Sequence, residues 1–232
     1  MTYKIDYSID INAHSSHSHI LKNIKPNSLV LEIGSGFGRM TKYMKEQLGC
    51  KVVIVESSLN DFQYASLYAR FAFSKSIEDI KLLTHLVDSF YKQFDYVIYA
   101  DVLEHLRDPE SVVKQLNLTL KNDGSIFISV PNISHNSVII DLINDKFSYR
   151  DFGLLDSTHI KFFTENSLDD FTKGCNLICV NKYDTYNQVE NTEFSNSYLD
   201  IDSQIAEKLK LRKNAITYQF VREYKYFSLD DD

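Results

Sequence analysis

One rhythm narrows the fold more than any other feature. Short runs rich in valine and isoleucine alternate with amphipathic stretches through the first 130 or so residues of the chain. The runs are Leu29–Ile33, Lys51–Glu56, Phe71–Phe73, Phe94–Tyr99 and Gly124–Val130. Helical patterns lie between them, near Gly38–Leu48, Leu59–Ala69, Ile77–Tyr91 and Pro109–Leu120. Strands separated by crossover helices are parallel, so this order predicts an α/β, doubly wound sheet covered on both faces. One helix start is explicit. Asp108 sits at the N-cap, Pro109 at the first helical position and Glu110 in the first turn, with Val112, Val113, Leu116 and Leu120 along one face.

After Val130 the rhythm breaks. "PNISHNSVIIDLINDKFSYRDFGLLDSTHIKFFT" reads as a long, polar connection, an insertion or lid after strand five. Two late β-rich runs, Leu177–Tyr186 and Ile216–Phe227, flank an Asn/Glu/Ser-rich stretch and a charged helix near Ile201–Lys213; they predict an antiparallel C-terminal hairpin. No linker splits the chain, so residues 1–232 are expected to form one domain. Residues 1–27 would be an N-terminal lid segment, and 131–165 and 187–214 substrate-side insertions.

Composition excludes several classes. A chain of 232 residues, 44% hydrophobic with 15 Tyr and 15 Phe, can bury a sizeable core. No run reaches the length of a membrane span, and "MTYKIDYSID" has no signal-peptide character. Cys50, Cys175 and Cys179 are too few for a disulfide framework and read as free thiols, so a cytoplasmic location is expected. A net charge of −7 with no basic stripe argues against nucleic acid and leaves a small molecule as partner. Nothing indicates an oligomer.

The segment "VLEIGSGFGRM", Val30–Met40, places Gly34, Gly36 and Gly38 between a strand and a helix. Glycines there let a ligand approach the backbone, and the helix start offers free N–H groups. A dinucleotide fingerprint would continue to a third glycine, but Arg39 occupies that position. Glu56 closes the second run, where a carboxylate can accept both hydroxyls of a ribose. Glu32, just before the loop, disfavours a pyrophosphate and suits a ligand carrying an ammonium and a sulfonium, which is S-adenosylmethionine.

On these residues the chain resembles a class I S-adenosylmethionine-dependent methyltransferase, nearly end to end. "VLEIGSGFGRM" is similar to the family's first motif, and "FDYVIYADVLEHLRDPESVVKQLNLTLKNDGSIFISVPN" to its fourth- and fifth-strand motifs. The resemblance implies a Rossmann-like, seven-stranded sheet. It implies that Ser35, Ser57, Asp101 and Val102 join the glycines and Glu56 around the cofactor. The family usually carries an aspartate after the third strand to reach the adenine; here Ser76 stands in that place, with Ile77 beside it. "SSHSHILKNIKPNSLVLEIG", "VPNISHNSV", "YRDFGLLDSTHIKFFT" and "ITYQFV" further resemble a bacterial subgroup of surface-polysaccharide gene clusters.

Methyl transfer to oxygen or nitrogen also needs a proton acceptor, and histidine is the usual one. His105, His135 and His159 lie in loops expected at the C-terminal edge of the sheet, where open α/β folds bind ligands. Each could instead be a structural histidine. Asp101 could orient His105 or contact the cofactor's amino acid end. Tyr7, with Tyr3, and His17 are candidate acceptor contacts from the lid, and Asn132, Tyr149 and Arg150 from the connection; Tyr149, Arg150 and Lys161 could bind a phosphate. "HSSHSH" (His14, His17, His19) has no metal-ligand spacing, and no metal site is expected.

The reading is a methyltransferase acting on a small polar acceptor, with a sugar, sugar nucleotide or phosphorylated amino alcohol of surface-glycan synthesis suggested by the subgroup. "ADVLEHL" also occurs in quinone-precursor O-methyltransferases, which is the second reading. A non-catalytic cofactor-binding module serving another enzyme is the third.

Overall fold

The computed structural model describes residues 7–227; Tyr3 lies outside them. Five parallel strands come first, β1 (Leu29–Ile33), β2 (Lys51–Val55), β3 (Phe71–Phe73), β4 (Phe94–Ala100) and β5 (Leu120–Pro131). Three antiparallel strands complete the sheet, β6 (Leu177–Lys182), β7 (Thr185–Tyr186) and β8 (Thr217–Tyr226). The order is β3-β2-β1-β4-β5-β8-β6, with β7 on β8. The expected mostly parallel sheet with an antiparallel C-terminal end is present, with one strand more than expected. The extra strand arises where Leu177–Tyr186 divides. At the break the Asp184 carboxylate accepts the Val221 N–H, 3.1 Å away, taking the place of a ladder carbonyl.

The helices are α1 (Ser16–Lys22), α2 (Arg39–Glu46), α3 (Leu59–Ala65), α4 (Ile80–Phe90), α5 (Pro109–Asn117), α6 (Asn136–Ile143), α7 (Glu165–Gly174) and α8 (Ser203–Lys210). Helix α4 begins later than the apolar pattern predicts. Asp79 caps it, its carboxylate accepting the N–H groups of Lys81 and Leu82, and this leaves Ile77 in a loop. Strand β5 begins earlier than Gly124, because Leu120 pairs with Phe94 before the register shifts. The polar "KND" hides that extension from the sequence.

Alternation along the strands feeds two cores. Val30, Val52, Ile54 and Ile98 pack with Ile20 of α1 and Met40 and Met44 of α2 on one face. Leu31, Val53, Val97 and Ile126 pack with Leu83 of α4, Val113 of α5 and Leu168 of α7 on the other. Two small clusters stand apart. Val138 of α6 meets Leu154, Leu155 and Phe194, and Ile140 of α6 meets Val189 and Leu209 of the second connection. The segments after β5 and after β7 are thus packed together.

Candidate active site

The glycine loop follows β1, with Gly34, Gly36 and Gly38 at φ +68°, +51° and +81°. Two of them are also sterically required. A Cβ on Gly34 would lie 2.6 Å from Val102 Cγ2, and one on Gly38 would lie 2.6 Å from the Ala65 Cα. Gly36 has nothing within 4 Å in that direction, so its bare side faces open space. That space is a cavity of about 580 Å³ bounded by Gly34 and Gly36, by Glu56, Ser57 and Ser58 after β2, by Ser76, Ile77 and Glu78 after β3, and by Asp101, Val102, His105 and Leu106 after β4.

Glu56 ties this cavity together. Its Oε2 accepts the Gly36 N–H and its Oε1 the Ser58 N–H, both at 2.8 Å. Each carboxylate oxygen keeps a further lone pair for a hydroxyl donor. Asp61 and Lys75 also border the space. Neither was anticipated, although Asp61 belongs to the helix start that Ser58 caps two residues after Glu56.

Glu32 has a different place from the one expected. It is not among the residues lining the cavity but lies buried, accepting a hydrogen bond from Thr41 Oγ1 of α2 at 2.6 Å. Burial pushes its carboxyl up to about 8; Thr41 works against the rise and the negative Glu56 adds to it. Ser35 is buried and Gly38 caps α2 in the left-handed conformation; neither lines the cavity. Between about pH 4.3, where an unfolded glutamate titrates, and about pH 8, the folded chain keeps a proton that the unfolded chain releases. Stability should therefore fall as pH rises through that window and level off above it. Glu32→Gln is expected to flatten this slope, a difference of up to about 5 kcal/mol at the alkaline end. Thermal unfolding of both proteins across the window checks it, and parallel curves would reject the assignment.

A second recess, of about 210 Å³, adjoins the first through Asp101 and His105, which border both. Glu104, Asp156, His159, Leu154, Tyr218 and Gln219 are among its other wall residues. Asp101 follows β4 at φ +55°, a strained backbone for a residue with a side chain. Its Oδ1 accepts from Ser129 Oγ at 2.8 Å and from Gln219 Nε2 at 3.0 Å, so its hydrogen bonds go to these groups, and the ring of His105 is bonded to Thr158 and not to Asp101. The rings of His105 and His159 meet edge to face with centroids 4.8 Å apart. Nδ1 of His105 donates to the Thr158 carbonyl at 3.2 Å, and Nδ1 of His159 to the Leu154 carbonyl at 3.4 Å. Burial, then the neighbouring His105, lowers the His159 imidazole. Burial, then the charge of Asp101, raises the Glu104 carboxyl well above the carboxylate range. The sequence reading passed over Glu104, whose neighbour His105 drew the attention.

Other candidates lie elsewhere. His135 is fully buried and caps α6; its Nδ1 is bound to Ser137, and its Nε2 donates to the Asn187 carbonyl at 3.0 Å. Both nitrogens are thus engaged inside the fold, and the ring lines neither recess. Asn132 is likewise fully buried, donating to the carbonyls of Thr217 and Asn214 and accepting from Ser134. Tyr149 is exposed beside Phe147, and Arg150 borders a separate polar recess with Lys146 and Asp141. Tyr7 packs edge-on against Tyr68 under the Lys42 ammonium, outside both recesses. His17 is half-buried and lines neither recess. Burial lowers its imidazole while the charge of Asp101 acts to raise it. His19 stacks on Tyr183.

The sequence profile of the family described as "Methyltransferase domain" matches residues 12–181, most of the chain. The chain belongs to the S-adenosylmethionine-dependent methyltransferases. This methyltransferase is 27% identical over 157 residues to a ubiquinone biosynthesis O-methyltransferase of Pelagibacter ubique, covering 68% of this chain and 62% of that one. It is 30% identical over 108 residues to phosphoethanolamine N-methyltransferase 1 of Zea mays, covering 46% of this chain and 21% of that one. The methyltransferase thus spans less than two thirds of the length of either. Its fold is shared with an S-adenosylmethionine-dependent methyltransferase of Archaeoglobus fulgidus at a TM-score of 0.61 and 18% identity, covering 89% of this chain and 90% of that one. It is shared also with a 1,6-didemethyltoxoflavin-N1-methyltransferase of Burkholderia thailandensis, a structure with bound S-adenosylhomocysteine, at a TM-score of 0.56 and 16% identity, covering 94% and 80%. The residues here suit the cofactor: the bare side of Gly36 opens on the large cavity, and Glu56 stands at its rim with acceptor capacity to spare.

Proposed function

We propose that this methyltransferase methylates a hydroxyl oxygen of a small acceptor that carries no phosphate near the reacting group. The observation behind this reading is the second recess. It joins the cofactor cavity at Asp101 and His105 and gathers two imidazoles and three carboxyl groups that can handle a hydroxyl proton. Among the described residues no lysine or arginine lines it; Arg150 and Lys146 border a different recess, which disfavours a phosphorylated amino alcohol.

When bound, S-adenosylmethionine supplies a methyl group already activated on a sulfonium, so positioning provides much of the rate. Gly34, Gly36, Glu56, Ser57, Ser76, Ile77 and Val102 would hold it, and Asp101 would face its amino acid end together with His17. The walls of the recess would orient the acceptor, and His105 and His159 would act on its proton.

A second reading is an aromatic hydroxyl, as in a quinone precursor. The name of the Pelagibacter relative favours it, and Leu154 and Tyr218 give the recess apolar wall. Among the described residues no helix is long and apolar enough to cross a membrane. Sugars and sugar nucleotides, suggested by the polysaccharide-cluster resemblance, are the polar counterpart. The test is release of S-adenosylhomocysteine with phenols, sugar nucleotides and phosphorylated amino alcohols offered in parallel. Turnover is expected with a hydroxyl acceptor. Turnover confined to amines would overturn the proposal, and binding of the cofactor with no turnover on any acceptor would favour a non-catalytic module.

A further inference from the structure

Glu104 is a buried acid that the hydrogen bonds of the fold leave out. It is 1% exposed, and neither carboxylate oxygen has a hydrogen-bond partner among the described residues. A buried carboxylate left this way is costly unless something else satisfies it. What faces it is specific. One ligand atom from each of Glu104, His105 and His159 lies within 4.8 Å of the others, the one such grouping of His, Cys, Asp and Glu among the described residues.

The imidazoles are held as ligands are. Each Nδ1 faces a main-chain carbonyl, of Thr158 for His105 and of Leu154 for His159, which fixes the ring and leaves Nε2 without a bond to the main chain. The two loops that carry the set are tied together as well, since the N–H groups of Ile160 and Lys161 donate to the Glu104 carbonyl at 2.8 and 2.9 Å. The sequence offered no metal-ligand spacing because His159 comes from a loop far along the chain from the adjacent Glu104 and His105.

We propose that Glu104, His105 and His159 bind a divalent transition-metal cation on the floor of the acceptor recess. Two imidazoles and one carboxylate, with no thiolate, suit zinc or manganese, and a three-ligand set keeps positions open for other oxygen donors. This deepens the hydroxyl-acceptor reading and rests on it for the cation's role, the two imidazoles then acting on the acceptor's proton through the cation they hold and not by taking it themselves. An acceptor hydroxyl drawn to the cation would lose its proton more readily, the O–H pair staying on oxygen and the proton passing to water at the open edge of the recess.

The experiment uses the untagged full chain stripped with a chelator, then titrated with Mn²⁺ followed by paramagnetic resonance and with Zn²⁺ followed by calorimetry. One cation per chain is expected from at least one of these metals. Glu104→Gln and His159→Asn should weaken it by at least about 10²-fold, with S-adenosylhomocysteine binding and circular dichroism unchanged. His105→Asn, at an exposed side chain, carries the same test if a buried variant fails to fold. Cation binding without methyl transfer to any hydroxyl would support the site and count only against the hydroxyl reading. Failure of both metals to bind, equal binding in the variants, or full turnover on a hydroxyl acceptor after stripping would each overturn the proposal.

Discussion

Replacing Glu165 with alanine is expected to lower the free energy of unfolding by about 3–5 kcal/mol. Arg222 of β8 is completely buried, and its Nη2 lies 3.0 Å from Glu165 Oε1, with Asp169 and Asp184 as its other partners. Removing Glu165 leaves a guanidinium in the interior with part of its counter-charge gone, and deprives Lys182 and Asn214 of the same acceptor. Lys213 also touches this carboxylate, but its side chain is 78% exposed. Lys213→Ala should therefore cost less than about 1 kcal/mol. Urea unfolding of the three proteins makes the comparison, and equal losses would show that the buried arginine contributes nothing special. Burial acts to raise the Glu165 carboxyl, yet Lys213, Lys182, Asn214 and Arg222 overcome it and hold it well below the carboxylate range. Its stabilisation should be complete above about pH 4.3 and fade progressively as pH falls from there to the depressed folded value.

His105→Asn and His159→Asn are each expected to lower turnover roughly 10²–10⁴-fold with cofactor affinity little changed. Both rings stand in the recess that adjoins the cofactor cavity, and each has one nitrogen not bound to the main chain. A role confined to orienting the acceptor would instead appear mainly in KM. His135→Asn supplies the contrast. That ring caps α6 and bonds Asn187, so its loss should lower stability while the folded fraction keeps its turnover. If the His135 variant loses turnover at unchanged stability, the division of roles between the three histidines is wrong.

These histidines also show what the sequence could and could not disclose. Residues bordering the cofactor cavity, such as Gly36, Glu56, Ser76 and Val102, follow directly after strands whose apolar runs are unmistakable, so their shared edge was legible. Glu32 was misplaced because local spacing does not reveal which way a buried acid points; Thr41, one helix turn into α2, claims it. His135 and His159 look alike in sequence, each among polar residues after a strand. What separates them is distant chain: Asn187 closes over one, and Glu104 and His105 gather at the other. Long-range pairing of that kind leaves no local signature. The same holds for the division of Leu177–Tyr186, which depends on the Val221 N–H turning to a side chain.

The joint packing of the segments after β5 and β7 bears on how acceptor preference can change. Val138 and Ile140 of α6 are covered by Phe194, Val189 and Leu209, and Glu193 holds both the Leu154 N–H and the Tyr218 hydroxyl beside the recess. Transplanting either segment alone into a related sheet would leave an apolar face of α6 uncovered and Leu154 without its anchor. Transplanted together they would carry their shared interior with them. A change of acceptor in this lineage is therefore expected to be inherited as a matched pair of loops, with residues 131–164 and 187–214 diverging in concert while the cofactor half stays as it is.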